Sequence, residues 1–256
     1  MYERLLSTHQ LVALQETKFS EEDSLQTNQH YIHVADSGAR SFWSNTTSPV
    51  FNGKRGVVLV LSSASPFRDV VDRTEHVYKT QLRNRYLLLE AKLGDRQIFL
   101  HVVYAPVEPA RRGEFFRSLP TRFDFGAAED FEDGCGPMHL AVGDFNTTMD
   151  NFLDQTSPSL PQPGTGREEL CDWLDALGLI DAWRYVNPET RELTSPLRVH
   201  RIDYCFLTVD LLQNHLAKVN HVKDRKWHKE DHVPVEFKLQ ATFLPKMKRA
   251  PWRCPT

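Results

Sequence analysis

Four apolar, strand-like runs in this chain each carry or end in a carboxylate, and any fold it adopts must find partners for all four. Leu11-Val12-Ala13-Leu14 runs into Gln15-Glu16-Thr17. His139-Leu140-Ala141-Val142 runs into Gly143-Asp144-Phe145-Asn146. Arg201 to Leu207 alternates with the period of a strand, so Asp203 faces opposite to Ile202 and Tyr204. Asp231-His232 stands just before Val233, Val235, Phe237 and Leu239, another period-two run. A carboxylate on a buried strand costs roughly 2–5 kcal/mol unless it is paired or bound to a metal. Four such sites in one domain point to a shared polar site rather than to surface chemistry.

The tetrapeptide Gly143-Asp144-Phe145-Asn146 is the most informative of these. An apolar run ending in Gly reads as a buried strand that stops at the edge of its sheet. Asp144 can take a proton or face a metal, and Asn146 can both donate and accept. Taken alone the tetrapeptide is equally an ordinary strand-to-turn boundary, and its weight comes from the other three runs.

With 256 residues, 40% hydrophobic and 25% charged, the chain has the size and composition of one large or two small globular domains. It contains no run of 18 apolar residues, so no membrane span is expected, and its first residues lack a signal-peptide pattern. Cys135, Cys171, Cys205 and Cys254 are widely spaced without a C-x-x-C pair, which argues against a zinc site or a disulfide framework and for an intracellular compartment, the nucleus included. The net charge of −3 announces no general attraction to nucleic acid. A local basic patch does exist: Lys223 to Lys229 holds four bases and an aromatic immediately before Asp231-His232. Arg225, Lys226, Trp227 and Lys229 are the candidate nucleic-acid contacts, with a solvated loop as the alternative.

Residues 1–17 read as a helix followed by a strand, and Gly56 to Leu61 as a buried strand. Tyr86–Leu93 and Gln97–Tyr104 form a hairpin around Gly94-Asp95, ended by Ala105-Pro106. A helix is expected from Arg111 to Phe123, and a second one beyond Thr165, capped by Thr165 with Glu168. Leu170, Trp173, Leu174 and Leu177 have the spacing of that second helix's buried face. Strand hairpins mixed with helices indicate layered sheets flanked by helices.

Leu14-Gln15-Glu16-Thr17, Tyr104-Ala105-Pro106, Gly143-Asp144-Phe145-Asn146, Arg201-Ile202-Asp203-Tyr204 and Asp231-His232-Val233-Pro234-Val235 together resemble the endonuclease/exonuclease/phosphatase superfamily, in order and in spacing. Within it, Asn146 to Asp154, residues 177–184 and the tail Met247 to Arg253 are most similar to the endonuclease domain of LINE-type retrotransposons. The resemblance implies an α/β fold, a four-layered sandwich of two mixed β-sheets flanked by helices, over residues 1–240. Residues 241–256 would be a linker-like tail leading toward a reverse transcriptase. It also implies a monomeric, Mg²⁺-dependent phosphodiesterase acting on DNA, with Mn²⁺ as the alternative ion.

The resemblance gives each motif residue a role. Glu16 and Asp231 are expected at the metal, while Asp144 orients or deprotonates the attacking water. Asn146 holds water and phosphate, Tyr104 donates to a phosphate oxygen, and Asp203 pairs with His232. From below, phosphodiester cleavage develops charge on phosphoryl oxygens, which a divalent cation and fixed donors stabilise.

Three departures from the family pattern stand out. The chain begins inside the first helix, so the family's first strand and its Asn are missing, and an exposed sheet edge is expected beside Leu11–Leu14 with Val12 and Leu14 facing a groove. Glu230 stands where Ser is usual, and Leu193-Thr194-Ser195-Pro196 replaces a region with an aromatic after Thr. The leading reading is a DNA endonuclease of retrotransposon type that nicks a target strand. The alternatives are an apurinic endonuclease, another phosphatase of the same fold, or a nucleic-acid-binding remnant without turnover.

Overall fold

The computed structural model describes residues 2–17, 22–44, 56–123, 136–157, 164–222 and 232–240. Eleven strands and six α-helices follow in the order α1 (Tyr2–Leu6), β1 (Leu11–Gln15), α2 (Glu22–Ala35), β2 (Arg40–Ser44), β3 (Val57–Leu61), β4 (Phe67–Asp72), β5 (Tyr86–Leu93), β6 (Arg96–Tyr104), α3 (Pro109–Ser118), β7 (Met138–Asp144), α4 (Arg167–Leu177), β8 (Leu179–Asp181), α5 (Ala182–Val186), β9 (Asp203–Thr208), α6 (Val209–Asn214), β10 (Leu216–His221) and β11 (Val235–Leu239).

Strict alternation along the strands sorts the side chains into three cores. In β5, Leu87, Leu89, Ala91 and Leu93 face one way, and in β6 Ile98, Leu100 and Val102 join them. Tyr86, Leu88, Phe99 and Val103 face the other way, onto Phe115 and Phe116 of α3 and Leu170, Trp173, Leu174 and Leu177 of α4. The period of two in the strands meets the period of 3.6 in α4, whose apolar face is the one read from the sequence. In β3, Val57, Leu59 and Leu61 join the first core, while Val58 and Val60 pack with Tyr2, Leu6 and Ile32 from α1 and α2. The layers are therefore helices α3 and α4, a six-stranded sheet, a second layer of strands, and helices α1 and α2.

The six-stranded sheet has the order β4-β5-β6-β7-β9-β8 and is mixed, because β6 and β7 run parallel while the other pairs are antiparallel. The second layer comes in two antiparallel pieces, β1-β3-β2 and β10-β11. Among the described residues β1 pairs only with β3, so its other side is a sheet edge there. Val12 departs from the sequence expectation. It lies buried among Tyr2, Leu6 and Ile32 instead of facing a groove, because α1 and α2 cover the outer face of β1.

Two local readings change. Helix α3 starts at Pro109 and ends at Ser118 rather than running to Phe123, since Leu119-Pro120 stops it. Helix α4 is capped at its start by Gly166 in the left-handed region with no side-chain cap, so Thr165 forms no capping box.

Two buried polar features bear on strand pairing. His101 on β6 and His139 on β7 meet at 3.0 Å between Nε2 and Nδ1, and burial pushes His139 down to about 4 and His101 well below the usual imidazole range. Two neutral rings sharing one proton therefore tie the parallel strands on the helix side. On β7, Gly143 has φ +145, and a Cβ there would sit 1.9 Å from the carbonyl oxygen of Val103. Only glycine lets β7 lie this close to β6 one residue before Asp144. Gly143→Ala is expected to destabilise the fold by roughly 2–4 kcal/mol in urea unfolding, and a variant as stable as the parent would show that the strands can separate freely.

Candidate active site

The strand registers bring three of the expected residues into one row. Tyr104 at the end of β6 is opposite Asp144 at the end of β7, and Asp144 is opposite Asp203 at the start of β9. All three have the parity of the core between the strand layers: Tyr104 packs with that core, Asp144 follows Met138, Leu140 and Val142, and Asp203 precedes Cys205 and Leu207. The row emerges where the apolar filling ends, at one end of the sandwich.

Asp144 is 6% exposed. Burial pushes its carboxyl up to about 8, and the neighbouring charge of Asp203 adds to the effect while His232 opposes it. Asn146, in the left-handed region at φ 48, turns back on it. The Asn146 backbone N–H donates to Asp144 Oδ1 at 2.8 Å, and its Nδ2 donates to Asp144 Oδ2 at 3.1 Å and to the Ala105 carbonyl at 3.0 Å. Asn tolerates that backbone region better than most residues, which accounts for its place after the strand.

The Asp203 carboxylate accepts from His232 Nδ1 at 2.9 and 3.0 Å. A carboxylate can only accept, so Nδ1 carries the proton in this hydrogen bond. The pair is held by Thr194, which is fully buried. Its Oγ1 accepts from the N–H groups of Ile202 and Asp203 at 3.0 and 3.1 Å, and its carbonyl accepts from Val233 N at 2.7 Å. One threonine thus clamps the strand bearing Asp203 to the segment bearing His232.

Glu16 stands directly after β1 at φ 53, again in the left-handed region, and accepts a hydrogen bond from the Tyr104 hydroxyl. Burial and this carboxylate raise the Tyr104 phenol above its ordinary range. A phenol has one hydrogen, and here it goes to Glu16. In this structure the Tyr104 hydroxyl holds the Glu16 carboxylate.

Asp144, Asp203 and His232 each offer one ligand atom, and these atoms lie within 4.8 Å of one another. Glu16, expected as a metal ligand, lies outside that group, although its charge reaches Asp144. Asp231, the other expected ligand, and the candidate nucleic-acid contacts Arg225, Lys226, Trp227 and Lys229 fall outside the described residues. The donor chemistry suits a hard divalent cation. Two carboxylates share a desolvated corner, one is driven toward its neutral form, and a cation would remove that conflict.

Several supporting residues were given no role of their own from the sequence. Asp154 is fully buried and accepts from Arg201 at 2.8 and 3.1 Å, from Arg184 at 2.7 Å, and from the N–H groups of Met149 and Asp150. It ties the loop after Asn146 to the residues leading into β9. Arg112 reaches from α3 to the carbonyls of Pro106 and Val107 at 3.0 and 2.8 Å. Only the tertiary fold reveals that Asp154, Arg201 and Arg112 are buried.

Asp144 contributes to stability with a defined sign. Its folded pKa is raised, so the fold favours the protonated form, and the stabilising contribution present at about pH 4 is lost as pH rises toward 8. Without divalent cation, Asp144→Asn is expected to raise the unfolding midpoint at pH 8 by about a few degrees and to change it little at pH 4. Lower stability at pH 8 would mean that the carboxylate is not under electrostatic strain.

The chain matches no protein-family model and no curated protein. Solved structures do resemble it. The catalytic domain of APE2 from Xenopus laevis matches with a TM-score of 0.64 at 21% identity, covering 93% of this chain and 87% of that one. The AP endonuclease LMAP from Leishmania major matches with a TM-score of 0.72 at 14% identity, covering 93% and 81%. The 3′ phosphatase NExo from Neisseria, bound to a product DNA hairpin, matches with a TM-score of 0.62 at 19% identity, covering 93% and 92%. The four-layered α/β sandwich of this chain is the fold of these AP endonucleases and of the 3′ phosphatase.

Proposed function

We propose that the chain is a Mg²⁺-dependent phosphodiesterase, a DNA endonuclease of retrotransposon type that nicks a target strand. The observation that supports this most is the row Tyr104, Asp144, Asp203 with His232 hydrogen-bonded to Asp203. It sets a carboxylate able to take a proton beside an imidazole able to give one. The fold shared with AP endonucleases and a 3′ phosphatase supports the same class of chemistry.

In this reading Asp144 orients the attacking water and takes its proton, and Asn146 fixes Asp144 while facing water and phosphate. His232, held by Asp203 through Nδ1, donates from Nε2 to a phosphoryl oxygen when the ring carries both protons as an imidazolium. Glu16, held by Tyr104, and Asp144 are the carboxylates offered to Mg²⁺, with Asp231 as a further ligand. When bound, the cation supplies positive charge against the carboxylates and the phosphoryl oxygens. Lys226 and Lys229 are assigned to backbone phosphates, with Trp227 against a sugar or base. A longer parent chain with a reverse transcriptase remains part of the retrotransposon reading. An apurinic endonuclease is the second reading, favoured by the structural neighbours.

Nicking of supercoiled plasmid in Mg²⁺ tests the proposal, with an abasic duplex and an inositol phosphate panel as companion substrates. Nicked circles that vanish with chelator are expected, with Asp203→Ala and His232→Ala each slower by roughly 10²–10⁴. Preferential cleavage of the abasic duplex would favour the second reading. No cation-dependent cleavage of any substrate, or variants as fast as the parent, would contradict both.

A further inference from the structure

The geometry points to Arg85 as a positioning residue that acts through Tyr104, and this deepens the nuclease reading above. Arg85 is 5% exposed and lies beneath the end of β6. Its Nη1 donates to the carbonyls of Tyr104 and Ala105, both at 3.2 Å, and its guanidinium carbon sits 4.9 Å from the centroid of the Tyr104 ring. The Arg85 carbonyl accepts from Tyr104 N at 2.7 Å. One side chain therefore holds the tyrosine by its backbone on one side and by the face of its ring on the other.

The same corner reaches the partner of the phenol. Asn84, at φ 57, accepts through its carbonyl from Gly56 N at 3.0 Å, and the Gly56 carbonyl accepts from Thr17 N at 3.2 Å. Thr17 follows Glu16 directly. Asn84-Arg85 thus sets both ends of the Tyr104–Glu16 hydrogen bond, one through the backbone and one through the guanidinium. The rest of the turn is equally fixed, because Asn146 also donates to Ala105 and Arg112 holds Pro106 and Val107. All four carbonyls from Tyr104 to Val107 receive side-chain donors, so the turn has little freedom to carry the phenol elsewhere.

Arginine suits this because its Nη1 serves two carbonyls while the flat guanidinium covers a ring. A lysine would keep the charge but not both contacts. The hydrogen bonds and the ring contact described above set Arg85 against Tyr104 and the residue after it, and the route to the chemistry that they support runs through Tyr104.

A double-mutant cycle tests this with Arg85→Lys, Tyr104→Phe and the combined variant, at a temperature where melting shows all of them folded. Arg85→Lys is expected to lower kcat for nicking about 10- to 100-fold with KM little changed. In the Tyr104→Phe background the same substitution should have almost no further effect. Effects that multiply would reduce Arg85 to a structural role and overturn the proposal. If the parent chain does not nick, the nuclease reading fails on its own, and positioning is then read without DNA by NMR of the protein labelled at tyrosine Cζ. The Tyr104 resonance, identified by its loss in Tyr104→Phe, should shift and broaden in Arg85→Lys while the other tyrosines hold still. An unmoved Tyr104 resonance also overturns the proposal. Arg85→Gln replaces Arg85→Lys in both measurements should the lysine variant not fold.

Discussion

The site depends on how β7 pairs with its two neighbours. It runs parallel to β6 and antiparallel to β9, so the C-terminal ends of β6 and β7 and the N-terminal start of β9 all lie at one end of the sheet. Because each strand alternates between the two cores, fixing which residues are apolar also fixes which way Tyr104, Asp144 and Asp203 point. A one-residue slip of β7 would turn Asp144 toward α3 and α4 and bring Gly143 into the row. Register is held against that slip by the cores on both faces, by the histidine pair between β6 and β7, and by the close approach at Gly143.

The same row carries the main electrostatic conflict of the molecule. Asp144 and Asp203 lie at the edge of an apolar core where water cannot screen them, and burial drives Asp144 toward its neutral form. The elements around it are built to hold this arrangement. Thr194 pins Asp203 and the His232 segment, Asn146 folds onto Asp144, and Tyr104 restrains Glu16. Strain of this kind costs stability and is what a site for a cation and a phosphate would require.

Much of this was readable in the sequence, and the reasons are local. The parity of Tyr104, Asp144 and Asp203 follows from strand alternation, the buried face of α4 follows from helical spacing, and the hairpin β5–β6 follows from Gly94-Asp95. Partnership across the chain was readable only through the resemblance, since nothing local to Asp203 names His232. Other features depended on tertiary packing. Asp154, Arg85 and Arg112 are charged residues whose burial only the closed layers reveal. Val12 looked like an exposed edge until α1 and α2 covered it. Thr165 looked like a cap until Gly166 took the left-handed position. The Tyr104–Glu16 hydrogen bond was likewise invisible in the sequence, where the two residues lie far apart.

The central claim is that these carboxylates form one cation site at the end of the sandwich. A crystal of the protein equilibrated with Mn²⁺ and measured for anomalous scattering tests it most directly. The account predicts a single strong peak within coordination distance of Asp144 and on the side of the row that faces Glu16, about 2.0–2.6 Å from the carboxylate oxygens. A peak elsewhere, or none at saturating Mn²⁺ with the row intact, would contradict it.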